Sequence, residues 1–182
     1  MDNRPIGVFD SGVGGMTVLK ELAKQLPNEN FIYLGDTKRF PYGSKSKESI
    51  IELTKDGVEF LINKGVKLIV IACGTATSQA LEEIQPLYNI PIIGVIEPTV
   101  KYIKEINKKQ IGKKVEIINI GEHVAKEAKA ILKNNDQMAE HKEQSIDTYL
   151  TETECKFNEV ASKLLGAEVK AKQVKEEIEF LS

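Results

Sequence analysis

The sequence predicts an α/β fold in which a mainly parallel sheet is flanked by helices. Short runs of β-branched residues alternate along the chain with amphipathic stretches, as is typical of α/β layer architectures. The run at 68–72, Leu-Ile-Val-Ile-Ala, is apolar throughout, which favours a strand buried on both faces of a parallel sheet. In the stretch 46–64, apolar residues recur at near-helical spacing among charged ones, which indicates an amphipathic helix.

The individual elements follow from the same two patterns. Apolar, β-branched runs predict strands at 5–9, 30–34, 67–72, 91–95, 115–119 and 146–150. Amphipathic stretches predict helices near 16–26, 46–64, 77–87, 98–108, 122–134 and 154–165. The polar stretch 134–145 is predicted to be a loop, and 167–182 fits either a helix or a final strand. With 182 residues, 41% of them hydrophobic, the chain can bury a full core, so we expect a single α/β domain over 1–182.

The charge balance argues against a nucleic-acid or anionic-membrane partner, since 25 Lys and Arg stand against 27 Asp and Glu and the net charge is -2. No apolar run approaches the roughly 20 residues that span a bilayer, and no secretory signal is visible. The two cysteines, Cys73 and Cys155, follow neither disulfide nor zinc spacing, and both fit a reducing compartment. We therefore expect a cytoplasmic protein without a metal site.

A glycine-rich turn stands between the first strand and the first helix, where residues 10–15 read Asp-Ser-Gly-Val-Gly-Gly. Backbone N–H groups at such a helix start favour an anion, although the spacing fits neither the P-loop nor the dinucleotide fingerprint. A tight strand-to-helix turn explains the same glycines. Asp10 and Ser11 either hold a substrate ammonium and pass a proton, or simply cap the helix.

Cys73 is predicted at the N-terminus of a helix, directly after the buried run 68–72. The helix dipole and the neighbouring small polar residues favour its thiolate, which is a usable general base. The alternative is a small buried side chain at a strand end. Because Asp10 also follows a buried strand, we expect Asp10 and Cys73 close together at the carboxyl edge of the sheet.

A further turn, at 41–44, reads Pro-Tyr-Gly-Ser. It can place the Tyr42 ring or backbone donors over a cleft, or it can be ordinary turn chemistry. Together with 6–15, Gly-Asp-Thr at 35–37 and the Cys73 segment 70–77, in this order, it resembles glutamate racemase from about residue 6 to residue 97. That resemblance implies a cofactor-independent enzyme that supplies D-glutamate for bacterial cell walls. It also implies two similar α/β lobes, with two cysteines on opposite faces of the substrate α-carbon.

The resemblance also implies roles for individual residues. Asp10 and Ser11 correspond to the pair that contacts the substrate, and Cys73 to the first catalytic cysteine. The second substrate loop corresponds to Pro41, Tyr42 and Gly43, and the segment after the cysteine to Gly74, Thr75 and Thr77. The two threonines would be hydrogen-bonding companions of the cysteine. The family has asparagine where this chain has Gly74, so a side-chain amide that helps to bind the amino acid is absent.

A larger departure concerns the second base. The family carries its other cysteine in a Cys-Thr-His segment, and no such triplet occurs here. Cys155 lies in Glu-Cys-Lys-Phe, which we predict to be helical, and His123 and His141 are expected in surface or capping roles. The resemblance resumes at 115–122, which looks like the family's late return strand, so most of the second lobe is expected to be absent around 111–114.

We therefore expect one lobe of the racemase architecture, with 1–109 as its N-terminal part and 115–182 as its returning part. The function implied by the resemblance is interconversion of L- and D-glutamate by thiol acid–base chemistry, with Cys73 retained. A homodimer that brings two Cys73 residues across one cleft is conceivable. The alternative is a non-catalytic single lobe or carboxylate-binding module. A dinucleotide-binding module is disfavoured by the glycine spacing.

Overall fold

The computed structural model describes residues 1–107, 118–141, 143–153 and 156–174, and their strands form one parallel sheet in the order β4-β3-β1-β2-β5-β6. The strands are β1 (Ile6–Asp10), β2 (Phe31–Gly35), β3 (Leu68–Ile71), β4 (Ile92–Gly94), β5 (Ile146–Leu150) and β6 (Lys172–Gln173). The helices are α1 (Met16–Gln25), α2 (Lys47–Asn63), α3 (Gly74–Ile84), α4 (Ile96–Asn107), α5 (Ile120–Asn134) and α6 (Phe157–Leu165). Short 3₁₀ turns lie at Thr37–Arg39, Tyr42–Ser44 and Gln85–Leu87. The predicted α/β class with a mainly parallel sheet is confirmed.

Two apolar clusters fill the two faces of the sheet, because alternate residues of each strand point to opposite sides. Ile6 and Val8 of β1 belong to the cluster that contains the buried side chains of α1, α5 and α6. Phe9 belongs to the other cluster, which contains those of α2 and α3. Gly57 of α2 lies directly against the Phe9 ring, and a side chain at 57 would overlap it. This close approach seats α2 over the end of β1, next to the carboxyl edge.

Most predicted elements agree with the structure, and the differences arise at element ends. Residues 115–117 of the predicted fifth strand lie outside the described residues, and residues 118 and 119 belong to no strand. For these two residues the strand prediction is wrong, because Asn119 caps α5 and its Oδ1 accepts a hydrogen bond from the Glu122 N–H at 3.4 Å.

The C-terminal predictions are tested in part. Residues 154–155 of the last predicted helix lie outside the described residues. Helix α6 is capped at its C-terminus by Gly166, whose φ of 81° lies in the left-handed region that glycine adopts without strain. Within the ambiguous stretch 167–182, residues 172 and 173 form the short strand β6, and 175–182 lie outside the described residues. The described residues of the predicted loop, 134–141 and 143–145, include no strand and only the last residue of α5.

A buried ion pair lies at the amino edge of the sheet, opposite the candidate site. Lys67, just before β3, places its Nζ 2.6 Å from Glu29 Oε2, and neither side chain is exposed. The ammonium also donates to the carbonyls of Asp2 at 2.6 Å and Gln137 at 2.7 Å. Glu29 Oε1 accepts from the Ala139 N–H at 2.8 Å. One charge pair thus connects the start of the chain, β3 and the loop before β5.

In the part of the chain that the structure describes, no helix has the length and apolar character needed to cross a lipid bilayer.

Candidate active site

Ser11 and Cys73 meet at the carboxyl edge of the sheet. Strands β1 and β3 are parallel neighbours with Phe9 opposite Ile71, so the residues that follow them leave the sheet side by side. Ser11 Oγ lies 3.3 Å from Cys73 Sγ, close enough for a hydrogen bond in which either atom donates. The predicted placement of the aspartate–serine pair and the cysteine at one edge of the sheet is confirmed.

The Cys73 sulfur is held at the first turn of α3. The residue caps the helix, and its Sγ accepts a hydrogen bond from the Ala76 N–H at 3.5 Å. The side chain is 6% exposed, so a small surface remains open at the edge of the sheet. Ser11 is a second polar partner of the sulfur. The structure therefore places one thiol at the start of α3, beside the Ser11 hydroxyl.

The Asp10 carboxylate is fixed through one of its two oxygens. Oδ2 accepts hydrogen bonds from the N–H groups of Gly15 at 2.9 Å and Gly12 at 3.2 Å, and from the Tyr33 hydroxyl at 3.3 Å. Among the described residues none donates to Oδ1. Burial first, and then the Asp10 charge, raise the pKa of Tyr33 well above its usual value, so this phenol stays a neutral donor. Asp10 thus presents a carboxylate of fixed orientation.

The glycine-rich turn donates backbone hydrogen bonds to the Asp10 carboxylate. The N–H groups of Gly12 and Gly15 are directed at Asp10, which favours the tight-turn interpretation over a site for an external anion. A Cβ on Gly15 would lie 2.7 Å from the Asp10 Cβ and 2.9 Å from the Ala72 Cβ, closer than van der Waals contact allows. Glycine at position 15 lets α1 begin directly behind both strand ends.

The predicted second loop is anchored by its tyrosine. The Tyr42 ring is buried with its centroid 6.3 Å from that of Phe9, and its hydroxyl donates to Asp36 Oδ2 at 2.5 Å. Burial and the Asp36 charge raise the pKa of Tyr42 well above its usual value. Pro41 and Gly43, on either side, are exposed. The tyrosine hydroxyl is therefore already bonded, and the exposed residues of the loop are those that flank it.

In the segment after Cys73, Thr77 supports the ends of two strands, whereas Gly74 borders open space. Thr77 Oγ1 donates to the Ile71 carbonyl at 3.1 Å and accepts from the Val95 N–H at 3.4 Å, so it joins the ends of β3 and β4. Thr75 is half-buried beside it. Gly74 is exposed, and a Cβ built on it would have no atom within 4 Å. A larger side chain at 74 would fit without rearrangement.

Sequence reasoning missed a buried polar network centred on Asp36. This carboxylate is fully buried and accepts hydrogen bonds from Arg39 Nε at 2.8 and 3.0 Å and from Thr151 Oγ1 at 2.8 Å, besides that of Tyr42. Arg39 Nη1 also donates to Asp56 Oδ2 at 2.6 Å. The signal was present in the sequence, because Asp36 directly follows β2 just as Asp10 ends β1.

The remaining candidates lie elsewhere. Cys155 is outside the described residues. His123 is buried and stacks on Tyr102 with ring centroids 3.8 Å apart. Of its two expected roles, the surface role is wrong because α4 covers that face of α5, and the capping role stays a prediction. His141 is half-buried, with its Nε2 3.2 Å from the Asn3 carbonyl. Among the residues described, no three His, Cys, Asp or Glu side chains are grouped closely enough to hold a metal ion.

Comparison with known proteins gives a consistent result. A family model described as Asp/Glu/Hydantoin racemase matches residues 6–176. The glutamate racemase of Lactococcus lactis subsp. cremoris (strain MG1363) is 60% identical over 98 residues, which are 54% of this chain and 36% of that protein. That of Clostridium novyi (strain NT) is 57% identical over 106 residues, 58% of this chain and 40% of that protein. The chain thus spans less than half the length of these curated relatives.

Solved structures resemble the chain over nearly its whole length. A glutamate racemase from Francisella tularensis subsp. tularensis SCHU S4, in complex with D-glutamate, aligns with a TM-score of 0.84 and 26% identity over 97% of this chain and 99% of that chain. A glutamate racemase isoform from Bacillus anthracis aligns with a TM-score of 0.86 over 96% and 98% of the two chains. At 24% identity, the second likeness shows the fold alone.

Proposed function

Because the chain belongs to the Asp/Glu/hydantoin racemase family, we propose that it acts on glutamate and that Cys73 is the base that removes the α-proton. The observation that carries the proposal is the 3.3 Å contact between Ser11 Oγ and Cys73 Sγ. It joins two motifs, 62 residues apart in sequence, which the family resemblance independently assigns to the substrate and to the base. The names of the curated relatives and the D-glutamate complex of a structural neighbour support the choice of substrate.

The chemistry follows from one thiol. The Cys73 thiolate takes the α-proton, so that an S–H bond forms, the Cα–H bond breaks and the electron pair moves onto the substrate carboxylate. The fixed Asp10 carboxylate attracts the substrate ammonium. Its Oδ1, to which no described residue donates, accepts the hydrogen bond from that ammonium. Once the thiol proton has exchanged with solvent, it returns to the same face of the carbon. Full racemisation needs a second acid on the opposite face.

Two versions of this function differ in whether a second acid is present at the cleft. In the first, the chain interconverts L- and D-glutamate because a homodimer brings another Cys73 to the cleft. In the second, which we favour, the retained thiol alone exchanges the α-hydrogen of one enantiomer. The family resemblance implies that this is the D form. It also implies a cofactor-independent reaction in the cytoplasm, serving peptidoglycan synthesis.

The proposal is tested by isotope exchange in deuterated water. The chain is incubated separately with D- and L-glutamate, and the α-hydrogen is followed by NMR while circular dichroism follows the enantiomer. We expect deuterium to enter D-glutamate without formation of L-glutamate. Net inversion, or equal labelling of both enantiomers, would refute the one-base form and indicate a second base from a partner chain. If neither enantiomer is labelled, the result favours the alternative, a non-catalytic single lobe or carboxylate-binding module.

Replacing Gly74 by asparagine is expected to improve glutamate binding. The substitution supplies the side-chain amide that the family carries at this position, and the exposed site has room for it. A hydrogen bond to a charged ligand contributes about 1.5–3 kcal/mol, so half-maximal exchange should occur at a roughly 10- to 100-fold lower glutamate concentration. The measurement is the concentration dependence of α-hydrogen exchange. Gly74→Ala is the matched control, and equal effects of the two variants would contradict the amide contact.

A further inference from the structure

Asp36 joins three parts of the candidate site. Its backbone N–H donates to the Asp10 carbonyl at 2.9 Å, which fixes the end of β2 beside the end of β1. Its Oδ2 accepts from the Tyr42 hydroxyl, and its Oδ1 accepts from Thr151 Oγ1. The carboxylate therefore accepts at one oxygen from the loop 41–43 and at the other from the residue that follows β5, while Arg39 Nε donates to both oxygens.

Thr151 contributes both a donor and an acceptor. Its hydroxyl donates to Asp36 at 2.8 Å and accepts from the Lys38 N–H at 3.0 Å, while its own N–H donates to the Gly35 carbonyl at 3.1 Å. Next to it, Thr37 Oγ1 donates to the Glu152 carbonyl at 2.5 Å and accepts from the Glu152 N–H at 3.1 Å. The two threonines thus close a reciprocal clasp between residues 36–38 and residues 151–152.

The clasp fixes the orientation of the Asp36 carboxylate. The group is fully buried, so no bulk water can replace a lost donor. Arg39 Nε donates to both oxygens, at 3.0 Å to Oδ1 and 2.8 Å to Oδ2. If Oδ1 loses the Thr151 hydroxyl, the described side-chain donors that remain are Arg39 and Tyr42, and the contact that ties the carboxylate, and through it the Tyr42 hydroxyl, to the end of β5 is lost. Tyr42 is the buried anchor of its loop, with exposed Pro41 and Gly43 on either side. A shift of the anchor therefore displaces the exposed backbone at both neighbours.

We propose that Thr151 is a positioning residue for the substrate loop 41–43, acting through Asp36 on Tyr42. This inference rests on the proposed function, in which glutamate binds at that loop. In this role Thr151 acts through Asp36 and Tyr42 rather than on the substrate itself. Thr151 follows β5 and lies 115 positions after Asp36 in the sequence. The affinity of the loop 41–43 for glutamate therefore depends on a residue from a distant part of the chain.

Three variants test the proposal by separating substrate binding from the proton transfer. Thr151→Val removes the hydroxyl at constant shape, and we expect the KM for D-glutamate in α-hydrogen exchange to rise about tenfold, the effect of one lost hydrogen bond. The maximal rate should stay within about twofold, since the thiol on α3 is untouched. Thr151→Ser keeps the hydroxyl and should retain the original KM. Thr148→Val is the control for a buried threonine of β5 that is outside the network.

A second measurement keeps the inference independent of catalysis. Amide hydrogen exchange of residues 37–45 reports how readily the loop opens without substrate. One of the amides observed is the Lys45 N–H, which donates to the Tyr42 carbonyl at 3.0 Å. We expect faster amide exchange in Thr151→Val only in this segment. Unchanged KM and unchanged amide exchange would overturn the positioning role. If the unaltered chain labels neither enantiomer, the proposed function fails, and the amide exchange alone decides whether Thr151 positions the loop.

Discussion

Replacing Cys73 by serine is expected to reduce the α-hydrogen exchange of D-glutamate by about 10²- to 10⁴-fold, the usual contribution of a positioned general acid or base. Serine preserves the shape of the side chain and can keep the contacts with Ser11 and the Ala76 N–H. A hydroxyl is a far weaker acid than a thiol, so almost none of it is in the basic form near neutral pH. The rate of deuterium incorporation, measured by NMR, checks this expectation.

The second cysteine of the chain provides the control. Cys155→Ser changes the only other thiol in the sequence, and it should leave the exchange rate unaltered. Equal losses in the two variants would identify Cys155 as a second participant and contradict the one-base account. Exchange that persists in Cys73→Ser would mean that a group other than Cys73 removes the proton.

Replacing Lys67 by methionine is expected to lower the free energy of unfolding by about 3–5 kcal/mol, the cost of leaving one member of a buried ion pair alone. Both Lys67 and Glu29 are fully buried, and methionine retains the length of the lysine stem but not its charge. The Glu29 carboxylate would be left without its counter-ion, and the carbonyls of Asp2 and Gln137 would lose a shared donor. Urea unfolding followed by circular dichroism gives the difference.

Two comparisons isolate the buried charge. Lys47→Met breaks an exposed ion pair with Glu83, 3.1 Å long, and should leave the unfolding midpoint nearly unchanged because surface pairs contribute little. The double variant Lys67→Met with Glu29→Gln removes both charges and should recover much of the loss. If the double variant is less stable than Lys67→Met alone, an uncompensated charge is not the reason for the loss.

Strands β1 to β4 could be predicted from the sequence because they are short, apolar and mostly buried. A continuous apolar run such as 68–72 is distinguished from a buried helix segment by its short length and its β-branched residues. The failure at 118–119 has a local cause: Asn119 offers a side-chain oxygen to a free N–H at the start of α5, and this cap overrides the β-branched pattern before it. The division of the chain into an N-terminal and a returning part stays a prediction.

The candidate site could be predicted only as far as chain direction determines it. Asp10 and Cys73 follow neighbouring parallel strands, so a sequence pattern places both at one edge. The partners of these residues depend on packing that no local pattern contains. Thr151 bonds to Asp36, and the Tyr42 hydroxyl is bonded to that buried carboxylate rather than open to a ligand. The substrate-contacting roles of Asp10, Pro41, Gly43 and the other motif residues stay predictions.

The place of β5 beside β2 also imposes an order on biosynthesis. Thr151 is added to the chain 115 residues after Asp36, which at a ribosomal rate of about 5–20 residues per second is a delay of roughly 6–23 s. Until β5 is made, β2 has no neighbour on its outer side, and until α5 is made, the face of α1 that will meet it is uncovered. The nascent chain therefore carries an open sheet edge and an apolar helix face for seconds, the interval in which chaperone binding or aggregation competes with folding.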